Sequence, residues 1–384
     1  MDIDLITPAM GALLTLVLLP LLAPVARHFG HVDAPDGVRK LHEGEIPLTG
    51  GIALFVAMSL GYLLNAPVPQ EGVVFVAVCA VMVLLGALDD RLDLRPSTRL
   101  LTELAIAGAI VGFAGLSVTT VGDLFAVGPL DLGTFGPVFT ILAVAAAVNA
   151  MNMLDGIDGQ AACIAWVAIV AVVASAVLLG GAPDPAALAL LGGLPIFLAF
   201  NLVRVGRRLP KTFLGDSGAK LLGLVLAWEL IGSAQGSAAW LDPVTVLWFA
   251  AIPLFDTLFV MSYRMLHRRS PLSGDRNHIH HLLLDLGLSG RATLALVTSL
   301  AALLAAAGIG LELLRAPEGF RFAALCAVFL CHGAASVALV HARRRRTARL
   351  FEVQKNSTLG RGRDTGEFAR LPRTRSGDVE RAAG

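Results

Sequence analysis

The sequence predicts an all-α protein that crosses a membrane many times, and three observations support this prediction. Of the 384 residues, 56% are hydrophobic and only 15% are charged, and the mean hydropathy is +0.74. Soluble domains carry about 25% charged residues. About eleven apolar windows approach the roughly 20 residues that a bilayer requires. The connections between these windows alternate between many and almost no Lys and Arg residues.

The apolar windows predict a polytopic bundle of about eleven transmembrane helices. They cover residues 5–26, 48–64, 73–88, 100–116, 135–153, 160–179, 186–203, 219–233, 244–263, 292–313 and 320–341. The basic connections hold Arg27, Arg39, Lys40, Arg91, Arg95, Arg99, Arg204, Arg207, Arg208, Lys211, Arg264, Arg268, Arg269, Arg276 and Arg291. The alternate connections hold only Arg315. Because Lys and Arg accumulate in cytoplasmic loops, we expect a periplasmic N-terminus and a cytoplasmic C-terminus.

The last part of the chain differs in composition from the rest. Residues 1–341 form the predicted membrane domain, whereas residues 342–384 begin with four consecutive arginines and continue polar and rich in Gly and Arg. Such a segment has too few apolar residues to form a core. We therefore predict a disordered cytoplasmic tail whose arginine run, Arg343 to Arg346, lies at anionic lipid.

The most informative polar stretch is residues 149–159, which connects two apolar windows. It places Asn149, Asn152, Asp155 and Asp158 at every third position. Steps of three fall short of a helical turn by roughly 60°, so the four side chains cannot share one helix face. A helix end near Gly156 would fold the second pair back beside the first. The resulting oxygen-rich corner suits a hard cation or a phosphate donor, although plain Asx turns remain an alternative.

Two further acidic motifs lie in the predicted cytoplasmic connections. Asp89, Asp90 and Asp93 cluster at the end of the third window, where like charges repel unless a cation offsets them. The alternative there is a charged helix end paired with arginines. Asp216 stands between Gly215 and a Ser-Gly pair at the start of the eighth window, where glycines let an anion approach backbone amides. A simple N-cap is the alternative for Asp216.

A histidine cluster occupies the longest cytoplasmic connection. His278, His280 and His281 follow Arg276 within six residues. Three imidazoles suggest zinc, but neither Cys nor Glu lies nearby at ligand spacing. A basic cradle for phosphates fits better, and a solvated polar loop stays open. Together the four motifs predict a cytoplasmic-side cleft that handles a phosphate anion through a divalent metal, next to a lipid reactant.

These residues resemble the motifs of the polyprenyl-phosphate N-acetylhexosamine-1-phosphate transferases. The similarity covers about residues 27–291, with shorter matches at 39–42, 46–51 and 252–256. Within this family the sequence is most similar to the bacterial undecaprenyl-phosphate N-acetylglucosamine-1-phosphate transferases, particularly over residues 270–281. It is less similar to the phospho-MurNAc-pentapeptide transferase branch.

The resemblance implies a reaction and a set of roles. Undecaprenyl phosphate would attack the β-phosphorus of UDP-N-acetylglucosamine, releasing UMP and leaving a lipid-linked pyrophosphoryl sugar for a cell-envelope glycan. It implies Mg²⁺, with Mn²⁺ as a substitute, held by Asp216 and Asn152, and catalytic roles for Asp89, Asp90 and Asp158. The implied substrate-binding residues are Asn149, Asp155, Arg276, His278, His280, His281, Lys40, His42 and Arg99. The resemblance places the protein in the bacterial inner membrane, and a homodimer stays open.

Some features depart from this family, and ionisable residues within the apolar windows, among them the family match Asp256, support other interpretations. Arg99 stands where the family often has Lys, and Lys220, inside the eighth window, is expected to reach the membrane surface with its ammonium. Glu229, Asp256 and His332 lie within apolar windows, as in transporters. The alternatives are therefore a membrane transporter, a lipid-binding scaffold, or the same chemistry on another UDP-N-acetylhexosamine or on UDP-MurNAc-pentapeptide. No nucleic-acid partner is expected.

Overall fold

The protein is an all-α membrane protein, as predicted. The computed structural model describes residues 4–34, 44–64, 69–202, 211–270 and 276–364. Almost all regular structure in these ranges is helical, and the only paired strands are two short ones, β1 (Val32–Asp33) and β2 (Ile46–Pro47), which run antiparallel. The fold of the described residues is therefore a bundle of helices.

Thirteen α-helices occur in the described residues. They are α1 (Ile6–His28), α2 (Gly50–Leu63), α3 (Gln70–Leu92), α4 (Pro96–Ala109), α5 (Gly136–Leu154), α6 (Gln160–Leu179), α7 (Pro185–Leu202), α8 (Gly215–Ala234), α9 (Pro243–Phe249), α10 (Ala251–Leu266), α11 (Ile279–Asp285), α12 (Gly290–Leu313) and α13 (Glu318–Asp364). A π-helical turn, Ile110–Ala114, extends α4, and a 3-10 turn, Gly133–Phe135, precedes α5.

Every predicted apolar window falls on a helix, but not every window spans a membrane as one straight helix. Among the described residues, nine helices are long and apolar enough to cross, or ten if α9 and α10 count as one bent span. The axes of α9 and α10 differ by 81°. Pro253 lies in the first turn of α10, where its missing N–H suits a helix start. The window at 48–64 forms α2, which has only 14 residues.

Helix α8 is the centre of the bundle. Of its apolar window, 94% is buried, the largest share among the candidate spans in the described ranges. Glycines on neighbouring helices allow this burial. A Cβ at Gly86 of α3 would lie 2.3 Å from the Ser217 Cα, and one at Gly51 of α2 would lie 2.2 Å from the Gly218 N. The first turn of α8, which carries Asp216, is thus held directly against α2 and α3.

The end of the chain corrects one prediction. Helix α13 begins at Glu318 and continues to Asp364, so residues 342–364 are helical rather than disordered. Alanine and arginine are strong helix formers, and a helix already started in the bundle extends without a new nucleation step. Residues 365–384 of the predicted tail lie outside the described ranges.

We expect Gly86→Ala to destabilise the protein, because the added methyl group would collide with the α8 backbone at Ser217. Overpacking of this kind costs about 1–3 kcal/mol. The matched control is Gly108→Ala in α4, where no atom lies within 4 Å of the added Cβ and alanine favours the helix. Thermal unfolding in detergent should show a lower melting temperature for the first variant only. Equal melting temperatures would contradict the tight packing of α3 on α8.

Candidate active site

The stretch at 149–159 adopts the predicted turn. Helix α5 ends at Leu154, close to the predicted end near Gly156, and α6 begins at Gln160. Gly159 takes φ +76°, a left-handed conformation that favours glycine, and it starts α6. Asn149 and Asn152 therefore lie on the last turns of α5, whereas Asp155 and Asp158 lie in the loop that follows.

The end of α3 meets the start of α8. The Asp216 backbone N–H donates to Asp90 Oδ1 at 2.9 Å, and the Asp216 carboxyl lies within hydrogen-bond reach of Asp89. Gly215, at φ +71°, passes so close that a Cβ there would lie 2.8 Å from Asp90 Oδ2. The sequence-predicted DD motif and the Gly-Asp-Ser-Gly motif are therefore in direct contact.

Asp89 is bound by two cations. Its Oδ2 lies 2.8 Å from Lys220 Nζ and 3.1 Å from Arg99 Nη1, and its Oδ1 accepts from the Leu94 N–H at 3.1 Å. The expectation that Lys220 would reach the membrane surface is wrong, because its side chain is only 1% exposed. The reason is charge: the carboxylates of Asp89 and Glu103 pair with the ammonium inside the protein, which offsets the cost of burying it.

A buried glutamate extends this network to α5. Glu103, in α4, is 1% exposed and lies 3.6 Å from Lys220 Nζ through Oε1. Its Oε2 accepts from Asn149 Nδ2 at 2.5 Å. Sequence reasoning missed Glu103, because one glutamate in an otherwise ordinary amphipathic segment carries no motif. Only the packing of α4 between α3 and α5 shows its partners.

Asp155 and Asp158 add negative charge to the same end of the bundle. Burial, together with the neighbouring charges of Asp158 and Asp90, raises the pKa of Asp155 to about 7. Asp158 is more exposed and pairs with Lys211 at 2.5 Å. We call Asp89, Asp90, Asp155, Asp158 and Asp216 the acidic cluster.

Residues 276–285, which include α11, carry the three histidines, and we call them the histidine loop. An aspartate of α10 anchors this loop. His278 Nδ1 lies 2.7 Å from Asp256 Oδ2, and the Ile279 N–H donates to Asp256 Oδ1 at 2.8 Å. A carboxylate bound to Nδ1 fixes the ring orientation and directs Nε2 the other way. The sequence indicated Asp256 as a match to the family and as a possible transporter residue. It did not predict that Asp256 is a partner of the histidines.

His280 brings the histidine loop to the acidic cluster. Its ring packs against Gly156, where a Cβ would lie 1.9 Å from Nε2. The residue is fully buried, and both ring nitrogens lack a hydrogen-bond partner among the described residues. Burial lowers the pKa of His280 to about 3, and burial also lowers the pKa of His281, whose ring lies 4.2 Å from that of His280. Both rings are therefore neutral at pH 7.

Arg276 lies at the edge of this arrangement. It is exposed and pairs with Asp285 at 3.3 Å. Arg343 of α13 holds the same segment: it donates to the Arg276 carbonyl at 2.8 Å and to Asn277 Oδ1 at 2.6 Å. Arg346 donates to the Asp285 carbonyl at 2.9 Å. The first arginines of the predicted tail thus bind the histidine loop. The predicted site residues Lys40 and His42 lie outside the described ranges.

The donor set fits a hard divalent cation. Asp90 Oδ2 is buried without a hydrogen-bond partner, and the carboxyls of Asp155 and Asp216 crowd the same region. Within the described ranges no three His, Cys, Asp or Glu side chains form a complete metal cage. Mg²⁺ sites commonly use one or two carboxylates and take their other ligands from substrate phosphates and water. The residues present agree with that kind of site.

Comparison with known proteins places the chain in a family. A model described as glycosyl transferase family 4 matches residues 72–234. A Yersinia pestis protein named undecaprenyl-phosphate alpha-N-acetylglucosaminyl 1-phosphate transferase is 37% identical over 315 residues, which are 80% of this chain and 85% of that protein. The chain belongs to glycosyl transferase family 4. Among its relatives of the same name, the Pasteurella multocida protein is 36% identical over 337 residues, 86% of this chain and 92% of the relative.

The Escherichia coli K12 relative, again of that name, is 34% identical over 288 residues, 74% of this chain and 77% of the relative. The family-4 match spans α3 to α8, so it includes every member of the acidic cluster. The histidine loop lies beyond it. The family assignment suggested by the sequence motifs is confirmed, whereas the roles of individual residues stay predictions.

We expect the stability of the metal-free protein to depend on Asp155 through pH. Its folded pKa of about 7 lies above the ordinary value of 3.8. The folded state therefore holds this proton more tightly, and stability falls as the pH rises from about 4 to about 7. Asp155→Asn removes this loss. With divalent ions chelated, the gain in melting temperature over wild type should be larger at pH 8 than at pH 5.

The control for this measurement is Asp158→Asn, which removes the ion pair with Lys211. That variant relieves only part of the repulsion on Asp155 and also loses the ion pair, so it should stabilise the protein less at pH 8 than Asp155→Asn does. An Asp155→Asn gain that is the same at pH 5 and pH 8 would contradict the raised pKa of Asp155.

We expect Arg343→Gln to loosen the histidine loop. The variant loses two hydrogen bonds from a charged donor to Arg276 and Asn277, each worth about 1.5 kcal/mol at most at a partly exposed site. Hydrogen exchange of the amides at 277–281 should accelerate about ten- to a hundredfold. Arg345→Gln, at the exposed neighbouring position, is the control. Unchanged exchange in Arg343→Gln would show that α13 does not hold the loop.

Proposed function

We propose that the protein transfers N-acetylglucosamine-1-phosphate from UDP-N-acetylglucosamine to undecaprenyl phosphate. An oxygen of the lipid phosphate attacks the β-phosphorus of the nucleotide sugar. The bond from that phosphorus to the bridging oxygen breaks, and UMP leaves with this oxygen. The product is undecaprenyl-pyrophosphoryl-N-acetylglucosamine, which begins a cell-envelope glycan. The proposal is supported by relatives that carry the name of this activity and cover most of the chain.

The observation that carries the proposal is the meeting of separate motifs at one end of the bundle. Asp90 contacts the start of α8, Glu103 and Lys220 connect Asp89 to Asn149, and His280 packs on Gly156. A lipid phosphate and a nucleotide pyrophosphate bring several negative charges to such a site. Their transfer needs positioning and charge neutralisation more than covalent help from the protein.

Phosphosugar transferases of this kind are generally metal-dependent. We propose that Asp216 and Asn152 hold the ion, with Mg²⁺ as the physiological metal and Mn²⁺ as a substitute. When bound, the ion neutralises charge on the pyrophosphate of the donor. Asp216 suits this role because the start of α8 fixes its backbone against Asp90, while its carboxyl lies beside Asp89.

The two aspartates of the DD motif take different roles in this proposal. Asp89 is held by Lys220 and Arg99 and is almost fully buried, so it organises the site. Asp90 has a carboxylate oxygen without a partner among the described residues and is positioned to orient the lipid phosphate. A phosphate monoester has its second pKa near about 6, so this nucleophile is already mostly ionised at pH 7 and needs little help from a base.

The remaining predicted residues line the donor side. Asn149, Asp155 and Asp158 would shape the nucleotide pocket. His278, fixed by Asp256, would present its Nε2 to the phosphates or the sugar. Arg276, Lys40 and His42 stay in the proposal as phosphate-binding groups. Arg99 binds Asp89, which favours an indirect role for it.

The apolar helices show a membrane protein, and the bacterial relatives suggest the inner membrane. We propose that the N-terminus is periplasmic and that the acidic cluster and the C-terminus are cytoplasmic, where UDP-sugars are made. The partners would be undecaprenyl phosphate, the UDP-sugar and the lipid bilayer, and a homodimer remains open.

The transporter alternative loses support from the positions of its residues. Asp256 binds the histidine loop and so belongs to the candidate site. Glu229 lies thirteen residues after Asp216 on α8, about 20 Å away at 1.5 Å per residue. His332 packs against the rings of Phe255 and Phe259. Asp256 therefore has a partner in the candidate site, and Glu229 lies far from that site.

The decisive test is UMP release by the purified protein with undecaprenyl phosphate, Mg²⁺ and UDP-N-acetylglucosamine. Asp216→Asn and chelation should each lower the rate about a hundredfold or more, the order expected when a group that stabilises transition-state charge is removed. Glu229→Gln, an equivalent change in a buried carboxyl far from the acidic cluster, should retain the activity. If UMP is released only with UDP-MurNAc-pentapeptide, the assigned donor is wrong but the type of reaction is retained. No lipid-dependent release from any UDP-sugar would refute the transferase.

A further inference from the structure

Three buried charged side chains form a chain that begins at Asp89 of the acidic cluster. The Lys220 ammonium lies 2.8 Å from Asp89 Oδ2 and 3.6 Å from Glu103 Oε1, and each of the three side chains is 1% exposed. Burying charges is costly unless they are paired with good geometry. Lys220 is the group that lets both carboxylates stay in the interior, because Arg99 contacts Asp89 from a partly exposed position.

Glu103 in turn determines how Asn149 presents its amide. The Asn149 Nδ2 donates to Glu103 Oε2 at 2.5 Å and to the Ala145 carbonyl at 2.9 Å. An ionised glutamate and a carbonyl can only accept hydrogen bonds, so the amide must meet them with its NH₂ group. Both amide hydrogens are therefore used within the chain. The atom that Asn149 has left for a ligand is its carbonyl oxygen.

We propose that Lys220 and Glu103 are positioning residues that fix Asn149 with its carbonyl oxygen toward the substrate. Asn149 then serves as a hydrogen-bond acceptor for an N–H or O–H group of the UDP-sugar. This inference rests on the proposed function for its substrate, but the network itself rests only on the contacts above. The side chains of Lys220 and Glu103 are each 1% exposed, so both act through Asp89 and Asn149.

A single substitution should disturb this arrangement in a specific way. Glu103→Gln has nearly the same shape, but its amide can donate as well as accept, so Asn149 is free to turn. We expect the KM for the UDP-sugar to rise about tenfold, the factor for losing one hydrogen bond of about average strength, with a smaller change in kcat. Glu229→Gln makes the same chemical change in another buried glutamate of the bundle and should leave both constants unchanged.

Exchanging the hydrogen-bond donor and acceptor between Asn149 and Glu103 tests the orientation of the Asn149 amide directly. Asn149→Asp alone places two carboxylates together and should reduce activity strongly. Combined with Glu103→Gln, the introduced glutamine can donate to the introduced aspartate, which again leaves an oxygen for the substrate. The double variant should therefore be more active than the product of the two single losses predicts. Losses that simply multiply, or a Glu103→Gln variant with a normal KM, would overturn the proposal.

Melting temperatures keep the test independent of the reaction. Lys220→Met leaves Asp89 and Glu103 without the shared ammonium and should lower the melting temperature substantially. Adding Glu103→Gln to Lys220→Met should restore part of this loss, because one stranded carboxylate is removed. If the two losses instead add, the buried network is refuted. If wild type binds UDP-N-acetylglucosamine but releases no UMP, the proposed function fails. The melting temperatures and the KD of this ligand in Glu103→Gln then still decide whether Lys220 and Glu103 position Asn149.

Discussion

Negative charge crowded at one end of a buried helix is the constraint on which this structure depends. The first turn of α8 brings Asp216 beside Asp89 and Asp90, and the loop after α5 adds Asp155 and Asp158. Such a group is stable only if cations offset it. The protein supplies Lys220 and Arg99 on one side and Lys211 on the other. The charge that remains uncompensated around Asp90 and Asp155 is what a metal ion and its phosphate ligands would meet.

Small residues make this crowding possible. The glycines of α2 and α3 let the α8 backbone approach closely enough for its N-H groups to reach the DD motif. Membrane helices commonly use small residues for such contacts, since lipid gives no hydrophobic force that would press larger side chains together. The same packing buries α8 almost completely, so the position of Asp216 is set by the most buried of the candidate spans in the described ranges.

The histidine loop is held differently, by contacts with elements other than α8. Asp256 fixes His278 from α10, His280 rests on Gly156, and Arg343 fixes the backbone of Arg276 from the extension of α13. A loop with few anchors opens more easily than a core helix. A binding site that must admit two large substrates needs one side that can open. The structure therefore joins a rigid acidic base to a loop that a small number of hydrogen bonds position.

The sequence by itself determined the membrane class, nearly every helix and the four motifs, because apolar windows and short polar motifs are local signals. It also determined the helix end near Gly156, since glycine and the spacing of the polar residues act within one turn. Tertiary structure alone decided the partners of Lys220 and Glu103, which lie far apart in the chain and meet only because α4 packs against α3 and α5. The same holds for α13, whose arginines look like a free tail until the histidine loop is placed beside them. From local sequence alone, a charged side chain is expected to be exposed to solvent. Only the fold shows which charged side chains are buried together.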